Sequence, residues 1–246
     1  MDLTSEKTRT FPRTLGVVLF SIGILMGVVF LGYTVWADIE ASLFASTYDA
    51  DKSLRSLNCP LVLTSGETGT VSAAFRNNTE RSIRPLVRAY FSEGLVTLVR
   101  EMRELITISS GRSEERSWEV NYEDAVYDRF VLVRVTQHGH YPVPSQTASC
   151  GILALDVPFL SGSAIVTLIT ALIGGCIFFG LRLWLKYNQP LMGKPKTITQ
   201  GFVWLTIVLA AGLLFTFLGW WVAAALIFVL TILLTMGIST HVFLTA

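Results

Sequence analysis

Apolar and polar positions alternate along this chain on two length scales. From residue 14 to 37 the run TLGVVLFSIGILMGVVFLGYTVWA carries no charged side chain over 24 positions, more than the roughly 20 helical residues that cross a hydrocarbon core. A second run, 163–185, is interrupted only by Arg182, near enough to its end for the guanidinium to reach the interface. From 201 to 246 no Asp, Glu, Lys or Arg occurs. That is about twice the length of one span, so the segment is expected to fold back on itself. Adjacent tryptophans prefer the headgroup belt, which places the turn at Gly219-Trp220-Trp221 and gives spans at 201–218 and 222–243. Four spans are predicted, with Trp36, Trp184, Trp220 and Trp221 as interface anchors.

Between the first two spans the period shortens to two. Val71, Ala73 and Phe75 alternate with Ser72, Ala74 and Arg76, and Val131, Val133 and Val135 with Leu132, Arg134 and Thr136, the signature of strands with one buried face. Short β-prone runs are read at 61–64, 70–76, 85–91, 95–99, 105–109, 116–120, 130–136 and 152–155, with turns at Ser65-Gly66, Asn77-Asn78 and Ser110-Gly111. Seven or eight strands in about 100 residues predict two packed sheets over 59–156. Residues 38–58 are expected to continue the first helix before the sheets begin.

The phrases GETGTVSAAFRNNTERSI at 66–83 and SSGRSEERSWEV at 109–120 resemble bacterial immunoglobulin-like adhesion or accessory modules, in which a Gly-Glu turn, an Asn-rich turn and a second Gly turn separate strands. The likeness covers 59–156. The whole chain also looks like bacterial membrane proteins with four spans and a domain inserted after the first. The resemblance implies a membrane protein of four transmembrane α-helices plus an extracytoplasmic all-β immunoglobulin-like sandwich, and binding or assembly as its work.

Basic residues set the orientation, because short loops rich in Lys and Arg stay cytoplasmic. The first 13 residues hold Lys7, Arg9 and Arg13 against Asp2 and Glu6, and the loop at 186–200 with its flank holds Arg182, Lys186, Lys194 and Lys196 and no acid. Residues 38–156 carry 16 acids and 12 bases, a net charge of −4. The N-terminal segment, the basic loop and the C-terminus are expected in the cytoplasm of a bacterium and the β-domain outside its cytoplasmic membrane. A cleaved signal peptide is the alternative for the first run, but the run exceeds the roughly 7 to 15 apolar residues of a signal core.

Composition agrees with this division. The chain is 52% hydrophobic and 15% charged, against about 25% charged in ordinary soluble domains. A net charge of +1 without a basic aromatic stripe speaks against nucleic acid as a partner. Of three cysteines, Cys59 and Cys150 bracket the exported segment and are expected to pair, in a compartment that permits disulfides. Two buried thiols are the alternative. Cys176 lies among apolar residues and reads as packing.

Candidate chemistry is sparse. His138 and His140 stand two apart and could share a metal, but stable sites need three or four ligands, and a solvated loop is the simpler reading. His241 belongs to the last span. The acids Glu93, Glu101, Glu104, Glu114, Glu115, Glu119, Glu123, Asp124 and Asp128 are interleaved with arginines, as on a solvated sheet face or an interface rim. No nucleophile elbow, zinc helix, Walker loop or dinucleotide fingerprint occurs, and no cofactor is expected. The spans lack ionisable side chains at mid-depth, which weighs against a stand-alone pump. Their small residues, Gly23 with Gly27, Ala171 with Gly175 and Cys176 with Gly180, predict close helix packing within one chain or against a membrane-protein partner or second copy. Asn77-Asn78-Thr79 matches a glycosylation sequon but also an ordinary turn. The expectation is a non-enzymatic membrane scaffold or complex subunit; the alternative is an accessory or pore-forming transporter subunit. Tyr90, Trp118, Tyr122, Tyr127 and Tyr141 are candidates for a binding face, with Tyr90 and Trp118 equally suited to the core.

Overall fold

A computed structural model describes residues 3–45, 52–54, 56–139, 143–189 and 193–244. They form four helices, α1 (Leu3–Leu43), α2 (Gly162–Tyr187), α3 (Lys194–Phe217) and α4 (Trp221–Leu244), and nine strands between α1 and α2. Three helical stretches are long and apolar enough to cross a membrane, in α1, in α2 and over Pro195–Phe217; α4 adds a shorter apolar stretch, Trp221–Gly237. The chain divides into two compact units, one of residues 1–32 and 167–246 and one of residues 33–166.

The helical unit is assembled on glycines. A Cβ on Gly180 would lie 2.6 Å from the backbone nitrogen of Phe20 and 2.9 Å from the carbonyl oxygen of Gly16, so α1 and α2 meet backbone to backbone. Gly23 sits against Cys176 and Ile177, and Gly27 against Leu209 of α3. The expected pair Ala171 and Gly175 makes no such contact: Gly175 faces open space and Ala171 is exposed, because both lie on the side of α2 turned away from α1. Gly16, not singled out in the sequence, takes that place. Trp184, expected as an interface anchor, is instead buried; its indole N–H donates to Thr199 Oγ1 at 2.9 Å, and the Arg13 guanidinium lies 5.2 Å from its ring. Phe20 and Phe202 stack at 4.2 Å. The segment 186–200, read as a loop, is largely helical. Helix α2 runs through Lys186 to Tyr187, and α3 starts at Lys194, with Pro195 in its first turn, where the missing N–H has no intrahelical partner to lose. Lys196 and Arg182 are exposed. Between α3 and α4 the chain turns at Leu218–Trp220, Gly219 taking φ +69°, and Trp220 stacks on Phe215.

The second unit holds β1 (Lys52–Ser53), β2 (Leu57–Asn58), β3 (Val62–Thr64), β4 (Gly69–Arg76), β5 (Leu86–Glu93), β6 (Leu95–Leu105), β7 (Ser113–Val120), β8 (Phe130–Gln137) and β9 (Gln146–Leu155). One sheet runs β1-β9-β8-β5-β6 with β3 also on β9; the other is β2-β4-β7. The alternation read in the sequence becomes one core between them: Val71, Ala73, Phe75 and Trp118 from the small sheet and Val87, Phe91, Val131, Val133 and Val135 from the large one are buried together. A disulfide joins Cys59 to Cys150, 91 residues apart.

Three boundaries differ from the sequence reading. Strand β6 runs on to Leu105 where the sequence reading ends a strand at 99, because its charged residues pair across to β5 and β7, Arg88 with Glu101 and Arg116 with Glu104, while the strand expected at 105–109 is reduced to an isolated bridge between Ile83 and Ile108. Strand β9 begins at Gln146, six residues early, so Cys150 lies inside the strand and not before it. Strands β1 and β2, two residues each, precede 59 and are too short to show alternation.

Replacing Gly180 by Val is expected to force α1 from α2 and lower the stability of the detergent-solubilised chain by about 1–3 kcal/mol. Gly175→Val, in open space, should change it by less than about 0.5 kcal/mol. Thermal unfolding of the two variants side by side checks this.

Candidate functional site at the helix attachments

The first and last four residues of any helix leave N–H and C=O groups without intrahelical partners, partly positive at the N-terminus and partly negative at the C-terminus. Helix α1 has no basic residue in its last turn and α2 no acidic residue in its first. The β-domain supplies both.

At the end of α1 the donor is Arg134, in the middle of β8. Its Nη1 donates to the carbonyl oxygens of Phe44 at 3.0 Å and Ser42 at 3.3 Å, and Ala45, at φ 48°, turns the chain out of the helix. Period-two alternation puts Phe130, Leu132 and Arg134 on the sheet face opposite the core, and this face receives the last turns of α1. Trp36 packs on Phe130 with centroids 5.6 Å apart, and its indole N–H donates to Glu40. Gly151 of β9 permits the approach, since a Cβ there would run into the backbone of Ala37. The Gly151 N–H, on a stretch of β9 that neither β1 nor β3 pairs, donates to Asp38 Oδ1 at 3.0 Å. Arg134 is buried, which pulls its guanidinium below the usual arginine value; the neighbouring Tyr90 acts in the opposite direction.

At the start of α2 the acceptor is Glu67, in the turn after β3. Its Oε1 accepts from Gly162 N, the first residue of α2, at 2.7 Å and from Thr64 N at 3.1 Å. Ser161 Oγ accepts from Ala164 N at 3.3 Å, an N-cap. Beside Glu67 lies an open polar cleft of about 530 Å³ lined by Ser65, Thr68, Asn121, Tyr122 and Glu123. The Tyr122 hydroxyl is pushed up by burial and then by the charges of Asp156 and Asp128.

The other residues singled out in the sequence are dispersed. Tyr90 and Trp118 are buried, Tyr122 is half-buried and Tyr127 is exposed at φ 56°. His140 and Tyr141 lie outside the described residues. Among those described, no group of three or more His, Cys, Asp or Glu could hold a metal ion. His138 follows β8, and burial, then the Arg88 charge, hold its imidazole below the ordinary histidine value. On the same face Glu101 is bonded by Arg103 at 2.5 Å and faces Arg88 at 3.7 Å; the Arg103 bond chiefly holds its carboxyl down. Arg100 pairs with Asp124 at 2.7 Å, and Arg116 with Glu114 at 3.3 Å. Four of the acids, Glu101, Glu104, Glu114 and Asp124, thus pair with arginines. Asn77 of the sequon is fully buried; its Nδ2 donates to the carbonyls of Arg81, Ile108 and Ser109, and its Oδ1 accepts from Thr79.

Sequence reasoning missed Arg134 and Glu67 as a pair. Each is a lone charge in its local pattern, and its partner lies 90 or more residues away. A charged residue on an otherwise apolar strand, next to helices lacking charge at their ends, is the signal that was present.

No family model matches the chain, and no curated protein matches it in sequence. Solved structures match in part. A cycloisomaltooligosaccharide glucanotransferase from Paenibacillus sp. is 15% identical over 46% of this chain and 15% of its own length, with a TM-score of 0.33. A CARDB domain from Pyrococcus furiosus, in complex with di-metal ions, is 7% identical over 41% of this chain and 90% of its own, at 0.32. The superoxide reductase neelaredoxin from Ignicoccus hospitalis is 10% identical over 40% and 78%, at 0.29. The chain spans about one seventh of the glucanotransferase, and likenesses at these scores carry no argument about fold or activity.

Arg134→Ala should leave the last carbonyls of α1 without their donor and destabilise the unit by about 1.5–3 kcal/mol. Hydrogen exchange by mass spectrometry should report faster exchange over 40–44, and with Glu67→Ala faster exchange over 162–165, while Arg103→Ala, at an exposed ion pair, changes neither. The depressed His138 value predicts a pH effect. The folded state resists the proton that the unfolded state takes up near the ordinary histidine value, so stability is full above about pH 6.5 and falls as pH drops through it. Unfolding midpoints at pH 7.5 and 5.5 should differ less in His138→Gln than in the parent chain.

Proposed function

We propose that this chain is a non-enzymatic membrane scaffold or complex subunit. Four helices span the cytoplasmic membrane of a bacterium with both termini inside, and an immunoglobulin-like β-sandwich is held outside for protein binding or assembly. The observation that carries this is the paired capping of the helix ends. Within its own unit the inserted domain caps both attachments, its arginine at the end of α1 and its glutamate at the start of α2, so the segments leading into and out of it are part of its fold. The apolar helices, the basic segments flanking them and the disulfide in the inserted domain fit the same arrangement. The exposed Tyr127 and the polar cleft beside Glu67 are the surfaces open to a ligand protein.

A second reading, an accessory or pore-forming transporter subunit, is favoured by one feature of the helical unit. An apolar groove of about 480 Å³ between α1, α3 and α4, lined by Phe20, Ile24, Val28, Leu205 and Met236 among others, leaves room for a partner helix.

The test is capture from native membranes in mild detergent through a tag after Ala246, with quantitation of whatever accompanies the chain. Near-stoichiometric membrane proteins that are lost when Tyr127→Ala is combined with Glu123→Ala are the expected result. Solute flux through liposomes holding the purified chain alone would overturn the scaffold reading in favour of the second.

A further inference from the structure

The loop between β9 and α2, residues 156–161, is tied to the β-domain on both sides. A Cβ on Gly66 would run into the carbonyl of Pro158, and one on Gly162 into the carbonyl of Val62 in β3. The Val157 N–H donates back to the carbonyl oxygen of Leu155 at 2.9 Å, and Glu67 takes the N–H of Gly162. The side chains between these ties point outward. Phe159 is 92% exposed, the most of any large apolar side chain among the described residues, and Leu160 beside it is 48% exposed. Neither belongs to the buried core of the domain, so a backbone held in place presents an apolar pair that the fold itself leaves uncovered.

Two observations point to the bilayer as what lies against this pair. The first is position along the chain. No charged residue occurs from Val157 to Leu181, and the roughly 20 helical residues of a span, counted back from Arg182, reach Gly162. Phe159 and Leu160 precede Gly162 by three and two residues, a reach of at most about 10 Å from the hydrocarbon edge, which is headgroup depth. The second comes from the other connection to the domain. Trp36 of α1 packs on Phe130, and Phe130 pairs with Leu153, so Trp36 lies at the end of the sheet where β9 runs out toward this loop. Tyr33 and Trp36, both about half-exposed, are side chains of the headgroup belt. Two connections far apart in sequence thus bring apolar and aromatic side chains to one end of the domain. Residues 156–161 hold no Lys or Arg, so the contact is apolar and does not call for anionic lipid.

We propose that Phe159 and Leu160 enter the boundary between headgroups and acyl chains in the outer leaflet and seat this end of the β-domain on the bilayer, whose surface is then itself a partner of the domain. The inference rests on the reading of α2 as a membrane span.

The test is spin labelling of the full chain in liposomes of zwitterionic lipid, in a Cys176→Ala background that keeps the disulfide between Cys59 and Cys150. Labels are introduced singly by Phe159→Cys, by Leu160→Cys, by Glu80→Cys in the turn between β4 and β5 at the other end of the domain, and by Leu172→Cys within α2. Collision rates are read with oxygen, which concentrates in lipid, and with a water-soluble nickel chelate. The labels at 159 and 160 should meet nickel at least about fivefold less often than the label at 80, and oxygen more often. Nickel access at 159 and 160 equal to that at 80, with the label at 172 shielded, overturns the seating alone. Low access of both reagents at 159 and 160, the mark of protein cover, also overturns it. Nickel access at 172 overturns the span reading and the seating with it.

Discussion

The arrangement of the inserted domain depends on satisfying two helix ends that their own residues satisfy only in part. Where α1 ends and α2 begins, several backbone groups are left without partners, and burying such groups unpaired costs more than almost any other local defect. The last turn of α1 is Glu, Ala, Ser and Leu, without a basic residue, and α2 begins with Ser, Gly and Ala, without an acidic one. Arg134 meets the negative end and Glu67 the positive end. These charges have the signs the two helix dipoles call for, and they come from one domain. A domain carrying the two residues in exchanged places would be repelled at both attachments.

Strand β9 is where this requirement meets the core. Successive residues of a strand point to opposite faces, so Cys150 and Gly151 serve different masters. Cys150 turns inward to the disulfide with Cys59, closing the edge near β2, while Gly151 turns outward and admits Ala37 and the carboxylate of Asp38. The interruption between β1 and β3 along this edge would otherwise leave the Gly151 N–H unpaired. A helix side chain completes the sheet there. Moving β9 by one residue would exchange the two faces, placing the thiol against the helix and the glycine in the core.

What was legible in the sequence was what repeats at short range. The apolar runs gave the helices, and Val71-Ala73-Phe75 and Val131-Val133-Val135 gave strands whose alternate residues are buried as expected. Cys59 and Cys150, which bracket most of the β-strands in the sequence, are joined as expected. The errors came where structure is decided by something distant. Strand β6 crosses a charged stretch that looks like a break until its partners on β5 and β7 are known. Lys194 and Lys196 read as loop because basic residues mark cytoplasmic connections, yet nothing in lysine opposes a helix, and Pro195 starts one. The pair Ala171 and Gly175 has helix-packing spacing but lies on the side of α2 away from α1, since spacing identifies a face but not its direction. Of the attachment site, only the residue types were visible.

The charged face of the large sheet is the less promising surface for recognition, despite its density of ionisable groups. Arg88, Glu101 and Arg103 answer one another there, and on the opposite side of the sheet Arg100 pairs with Asp124. A partner displacing these pairs would have to replace each charged bond it broke, at a desolvation cost that often cancels the gain. Surfaces without internal answers are cheaper to bind. In the β-domain they are the cleft beside Glu67 and the exposed ring of Tyr127.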